Sequence, residues 1–143
     1  MNANLVAQAD VTIDAPAGEV WQALVSPEAI KQYMFGTVVE SAWTEGSSVT
    51  WKGEWQGKRY EDKGVVLQVK PGRVLQYSHF SPLAGLPDRP ENYHTVTIEL
   101  TPEGGRTHVA LSQDNNSNEG AKLHSEKNWR QMLDGLKQYV ERK

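Results

Sequence analysis

Four histidines, His79, His94, His108 and His124, and 18 Asp and Glu residues are the side chains of this chain that could move protons or hold a metal. No two histidines stand at HxH or HxxxH spacing and there is no cysteine to complete a site, so no metal is expected. Ser78 precedes His79, but neither it nor any other serine sits on the strand-to-helix elbow that exposes a nucleophile. No Gly-rich loop leads into a helix as phosphate binding requires, so hydrolase and nucleotide-binding readings both fail and no cofactor is expected. Acid–base chemistry stays open. One buried carboxylate and one imidazole in an apolar cavity suffice for an aldol-type cyclisation or a proton transfer, and Asp62, Asp114 and His79 are the candidates. Each has a plainer reading as a turn, surface or structural residue.

A second constellation is aromatic. Trp51, Trp55, Tyr77 and Trp129, with Met34, Met132 and Leu133, could line an apolar pocket in which indole N–H, phenol and imidazole groups orient a ligand. Packed core draws on the same residue types, and the sequence leaves both readings open. His79 and Gln113 fall on strand faces shared with apolar neighbours, where each needs a partner, either a ligand or an internal hydrogen bond. Leu86 joins the ligand-binding candidates from an irregular segment, Ser81 to Asn92, whose three prolines and one glycine prevent regular pairing. That segment reads as a stiff connection whose leucines, Leu83 and Leu86, fold back to fill a hydrophobic gap, or as a lid.

The elements that must position these residues follow from periodicity. Leu5 to Asp14 alternates as a half-buried strand at Val11 and Ile13. Pro16 then suits the first turn of a helix with Val20, Trp21 and Leu24 on one face, and Ser26-Pro27-Glu28 repeats the start signal for a second helix ending by Gly36. Five or six strands follow: Thr37 to Trp43, Ser48 to Gln56, Arg59 to Lys70, Val74 to Phe80, His94 to Leu100 and Thr107 to Asn115, each bounded by turn residues. Val49, Trp51, Gly53 and Trp55 share one face, as do Leu75, Tyr77 and His79, then Val96, Ile98 and Leu100, and lastly Val109, Leu111 and Gln113. A closing helix carries Trp129, Met132, Leu133, Leu136 and Val140 at buried-stripe spacing. The turns before it, Gly120 to Lys127, are polar and should lie at the rim of whatever the helix encloses.

This is an α+β pattern in one domain spanning residues 1–143, a length that buries a core without disulfides. A formal charge of −3 with acids and bases interleaved gives no polybasic surface, so neither nucleic acid nor an anionic membrane is expected as a partner. No apolar stretch approaches the roughly 20 residues of a membrane span, and the first residues lack the basic and apolar regions of a signal peptide. A soluble cytoplasmic protein is the default. Monomer and homodimer both remain open.

The stretch VTIDAPAGEVWQALVSPEAIKQYMFG, the WKGEW strand, the passage YEDKGVVLQVKPGRVLQYSHFSPLAGLPDRPEN and the terminal HSEKNWRQMLDGLKQYVE together resemble the bacterial branch of the activator of heat-shock-protein ATPase homologue family. That family belongs to the SRPBCC, or START-like, superfamily, which includes polyketide cyclase-like proteins. The resemblance implies a helix-grip fold: a curved antiparallel sheet of six or seven strands around a long C-terminal helix, with two short helices closing one end. It implies a cavity between sheet and helix for a small apolar or aromatic molecule, with its entrance among Phe35 to Thr37, Gln56 to Lys58, Ser81 to Asn92 and Asn115 to Asn118. A cyclase- or dehydratase-like enzyme and a chaperone-associated stress protein are the alternatives. The chain lacks the additional N-terminal domain of the eukaryotic activator, which makes chaperone activation a poor inference.

Overall fold

Among the described residues, 5–34, 36–55 (of Trp55 the backbone only), 57–82 and 85–142 of the computed structural model, seven strands form one antiparallel sheet. β1 (Leu5–Ile13) leads into α1 (Ala17–Val25) and α2 (Pro27–Tyr33). β2 (Val38–Ser41), β3 (Ser48–Trp55), β4 (Lys58–Lys70), β5 (Val74–His79), β6 (His94–Glu103), β7 (Arg106–Asn116) and α3 (Glu119–Glu141) follow. The strand order is β1-β7-β6-β5-β4-β3-β2. A meander from β2 to β7 is thus completed by the first strand returning beside the last. This is the helix-grip α+β fold, with α3 laid along the inner face and the short helices closing one end.

Local chemistry sets the boundaries. The Pro16 carbonyl accepts the amides of Glu19 (3.0 Å) and Val20 (3.2 Å), so the turn begins at the residue whose missing N–H costs nothing there. Ser26 caps α2, its Oγ accepting the Ala29 amide at 3.3 Å with Pro27 next in line. Gly36, at φ +90°, sends its amide back to the Lys31 carbonyl at 2.8 Å and stops that helix. At α3 the Asn118 side chain accepts the Ala121 amide at 2.8 Å.

Alternation delivers the core. Val39, Val49, Trp51, Val66, Leu75, Tyr77, Val96, Ile98, Leu100, Val109 and Leu111 turn inward and are buried, and Val20, Trp21, Leu24, Ile30, Met132, Leu133, Leu136 and Val140 close over them. The long helix also protects an edge. Along β1, Glu126 accepts the Gln8 amide (3.0 Å), Lys137 donates to the Thr12 carbonyl (2.9 Å) and Glu141 accepts the Asp14 amide (2.8 Å), so groups that would invite another strand are occupied.

The alternation breaks at two bulges. In β4 the pairing with β5 shifts between Val66 and Gln68, and in the β1–β7 pair it shifts opposite Asn115, which takes a left-handed φ of +60°. One expectation is overturned. Leu86 does not fold back; it is 52% exposed, because its segment is tied down by polar groups instead: Asp88 accepts from Lys63 and from the Tyr93 hydroxyl (2.6 Å), and Asn92 Nδ2 donates to the Pro87 carbonyl (2.8 Å). Leu83, Phe35 and Gln56 lie outside the described residues.

Candidate functional site

Register brings the chemistry-bearing residues together. Trp51 stands opposite Asp62 across β3 and β4, His79 opposite His94 across β5 and β6, Tyr77 opposite Val96, and Val96 opposite Gln113. Directly opposed residues share a face, so these side chains gather on the inner face, toward the end of the sheet away from α1. There the core is not sealed. His79 and Asp62 keep 24% and 17% of their side-chain surface, and Met34, Tyr60, His94 and Trp129 are likewise only half-buried, whereas Trp51 and Tyr77 beneath them are buried.

At the centre is a carboxylate–imidazole pair. His79 Nε2–H donates to Asp62 Oδ2 at 2.9 Å, and the other carboxylate oxygen, Oδ1, is buried with no hydrogen-bond partner among the described residues. Aromatic rings pack around it: Trp51 lies edge-on to His79 with centroids 5.1 Å apart, Tyr77 is 5.1 Å from Trp51, and His94 stacks on His79 at 6.3 Å. Burial pushes the Tyr77 hydroxyl far above the usual phenol range and holds it neutral. His94 is oriented by donating Nδ1–H to the Asp114 carbonyl at 2.8 Å, which leaves Nε2 as the acceptor of its neutral ring. At the helix side of the face, Trp129 Nε1–H donates to Gln113 Oε1.

Of the residues singled out from sequence, Trp51, Tyr77, His79 and Gln113 therefore meet on one face with Trp129 of α3. Met132 and Leu133 are buried in the core behind them, Leu133 completely, and Met34 packs half-buried against that core. Leu86 stands apart on the surface, and the Trp55 side chain lies outside the described residues. Asp62 and His79, two of the three acid–base candidates, touch. Asp114 instead takes the Thr95 amide at 2.5 Å and serves the start of β6. The sequence reading missed His94 and Tyr60. Both carried a signal: His94 extends the Val96, Ile98, Leu100 series by one step, and Tyr60 extends the series through Asp62, Gly64 and Val66. Tyr60 shares a 2.7 Å hydrogen bond with Thr37, whose own hydroxyl donates to the Met34 carbonyl at 2.7 Å. Among the described residues no three His, Asp or Glu side chains gather as a metal site, and no helix is long and apolar enough to cross a membrane.

Residues 14–141 match the family described as Activator of Hsp90 ATPase homolog 1-like protein. The chain is similar to a Cytophaga hutchinsonii protein of known solution structure, at 57% identity over 99% of this chain and 97% of that one, with a TM-score of 0.87. CalU16 from Micromonospora echinospora shares the fold at 21% identity (97% of this chain, 87% of that chain, TM-score 0.73). So does the Aha1 dimer from Colwellia psychrerythraea, at 19% identity (98% and 97%, TM-score 0.73). No curated protein matches the chain closely enough to carry an argument.

Proposed function

The chain belongs to the Activator of Hsp90 ATPase homolog 1-like family, and on that footing we propose that it binds a small apolar or aromatic molecule on the inner sheet face. One observation carries the reading: the Asp62–His79 pair stands at the unsealed end of an otherwise apolar face, backed by Trp51 and Tyr77. A structural ion pair has no need of that placement. Polar groups convergent on an aromatic wall are what fixes the orientation of a bound ring. Trp51, Tyr77, His79, Gln113 and Trp129 form the binding surface, Met34 its margin and Met132 and Leu133 its support. The protein acts as a single cytoplasmic domain, as monomer or homodimer.

Native mass spectrometry of the protein from its own host, followed by denaturing extraction, tests this. The expected result is a stoichiometric organic molecule, lost from a Trp51→Ala variant that remains folded. An empty wild-type protein that stays empty when offered its host's extract would overturn the reading.

The same pair supports a second reading, acid–base catalysis on the bound molecule. With Nε2–H committed to Asp62, His79 Nδ1 has no hydrogen bond among the described residues, and in the neutral ring it is a base. Turnover lost in His79→Ala with affinity kept would establish catalysis, and parallel loss of both would leave binding alone.

A further inference from the structure

We propose, resting on the ligand-binding reading above, that the molecule held at Asp62 presents a hydrogen-bond donor, O–H or N–H, on an aromatic ring and is not a carboxylic acid. Two buried polar side-chain atoms lack a partner among the described residues, Trp43 Nε1 in the β2–β3 turn and Asp62 Oδ1. The second lies within the candidate site. A buried carboxylate oxygen left unpaired is costly, and a ligand donor is the group that relieves it.

The two imidazoles beside Asp62 also present acceptors. His79 spends its Nε2–H on Asp62 and His94 spends its Nδ1–H on the Asp114 carbonyl, so the remaining nitrogens, His79 Nδ1 and His94 Nε2, are acceptors in the neutral rings. The Trp129 N–H is committed to Gln113, and the Tyr60 hydroxyl to Thr37, whose own proton goes to the Met34 carbonyl, which leaves the Gln113 Nε2 amide and the Trp51 indole N–H as neutral donors on this face. Tyr77 adds one neutral hydroxyl. Among the described residues no Lys or Arg pairs with Asp62. Lys63, its neighbour in sequence, points to the opposite face and pairs with Asp88. Lys58 shares the strand face but stands four residues away at the exposed hairpin tip, roughly 13 Å along the strand and beyond a Debye length at physiological salt. A carboxylate entering beside Asp62 would meet a like charge, with neutral donors but no Lys or Arg to receive it. The site therefore separates ring compounds by the sign of their polar group.

Three probes on one ring test this: 2-naphthol, 2-methoxynaphthalene and 2-naphthoate, titrated against the full chain and followed through the indole and imidazole NMR signals of Trp51, His79 and Trp129. Naphthol should bind about tenfold more tightly than its methyl ether, which has the same ring and no donor, and naphthoate should bind weakest. Asp62→Asn, which removes the charge and adds an N–H donor in the same volume, should narrow the gap between naphthol and naphthoate about tenfold. Equal affinities for naphthol and its ether, or naphthoate binding best, would overturn the donor rule and leave the binding reading standing. Failure of all three to shift these signals at millimolar concentration would overturn both. If the Asp62→Asn variant does not fold, the wild-type series alone decides.

Discussion

Gly64→Ala is the substitution this fold should tolerate least, and the reason is local. A Cβ built on Gly64 falls onto the carbonyl oxygen of Ser78 and 2.6 Å from its carbon, where ordinary contact begins at 3.4 Å. The obstacle is backbone, so no rotamer change relieves it and β4 and β5 must part by roughly 1–2 Å. That gap breaks the paired hydrogen bonds between Lys63 and Phe80, now 3.0 and 2.8 Å, and strains the bond from the Val65 amide to Ser78 Oγ at 2.9 Å. Two or three hydrogen bonds at about 1 kcal/mol each, with an overpacking term of about 1–3 kcal/mol, give a loss of roughly 3–6 kcal/mol. In urea, with a slope of about 2 kcal/mol/M, the unfolding midpoint should drop by roughly 2 M. Gly53→Ala is the control, since its new Cβ meets the end of a side chain, with Tyr60 Cζ at 2.6 Å. Tyr60 can swing away at the expense of its bond to Thr37, about 1 kcal/mol. A Gly64→Ala protein within 1 kcal/mol of wild type, or a Gly53→Ala protein that is the less stable of the two, would refute the reasoning.

Two further outcomes check other parts of the account. On α3, Leu136→Ala should cost about 2–5 kcal/mol in the same assay because Leu136 is fully buried, while Leu123→Ala, 60% exposed at the rim, should stay within about 0.5 kcal/mol; similar losses from both would mean that the helix grips along its whole length. On the outer face, the hydrogen bonds from Lys63 and Tyr93 hold the Asp88 carboxyl below its ordinary value of 3.8. A depressed folded-state value means that the strap these groups form is complete above that pH and is lost as pH falls through the lowered value. Asp88→Asn should therefore lower the protection of the amides of residues 85–93, measured against their intrinsic exchange rates, at neutral pH, as acid alone should in the wild type, with the melting temperature almost unchanged. Exchange indifferent to both would show that the strap holds nothing.

Most of the fold could be read from the chain because its two periods are clean. Pro16 and Ser26-Pro27 mark helix starts by chemistry that needs no tertiary context, and the Met132, Leu133, Leu136, Val140 stripe can bury only one way. What alternation cannot reveal is an extra residue. In the run VVLQV of β4, alternation alone turns Val65 and Leu67 outward, 40% and 44% exposed, and would put Gln68 inward; the bulge between Val66 and Gln68 instead sends Gln68 outward after Leu67, and Val69 resumes the inner series opposite Leu75. The site was legible in part for the same reason. Face assignment put His79, Tyr77 and Trp51 inward, whereas the contact between Asp62 and His79 depends on how β4 and β5 are registered, and that register is set by the bulge.

The same register explains why the strap and the candidate site occupy one stretch of sheet. Asp62, His79 and His94 point inward, and their immediate neighbours Lys63, Phe80 and Tyr93 point outward, where Phe80 stacks on Tyr93 at 5.0 Å and Lys63 pairs with Asp88. Each inward group is thus one peptide unit from an outward anchor. The segment of residues 85–92 is fastened to the outer face through Asp88, and Leu86 does not fold across the opening of the inner one. Its influence on the site runs through the backbone: Phe80 exchanges both of its hydrogen bonds with Lys63, and holding that pair fixes the separation of Asp62 from His79. Asp88→Asn consequently perturbs the carboxylate–imidazole pair from the far side of the sheet. A change in the His79 ring signals of that variant, with those of His108 on β7 unmoved, is the outcome this arrangement requires.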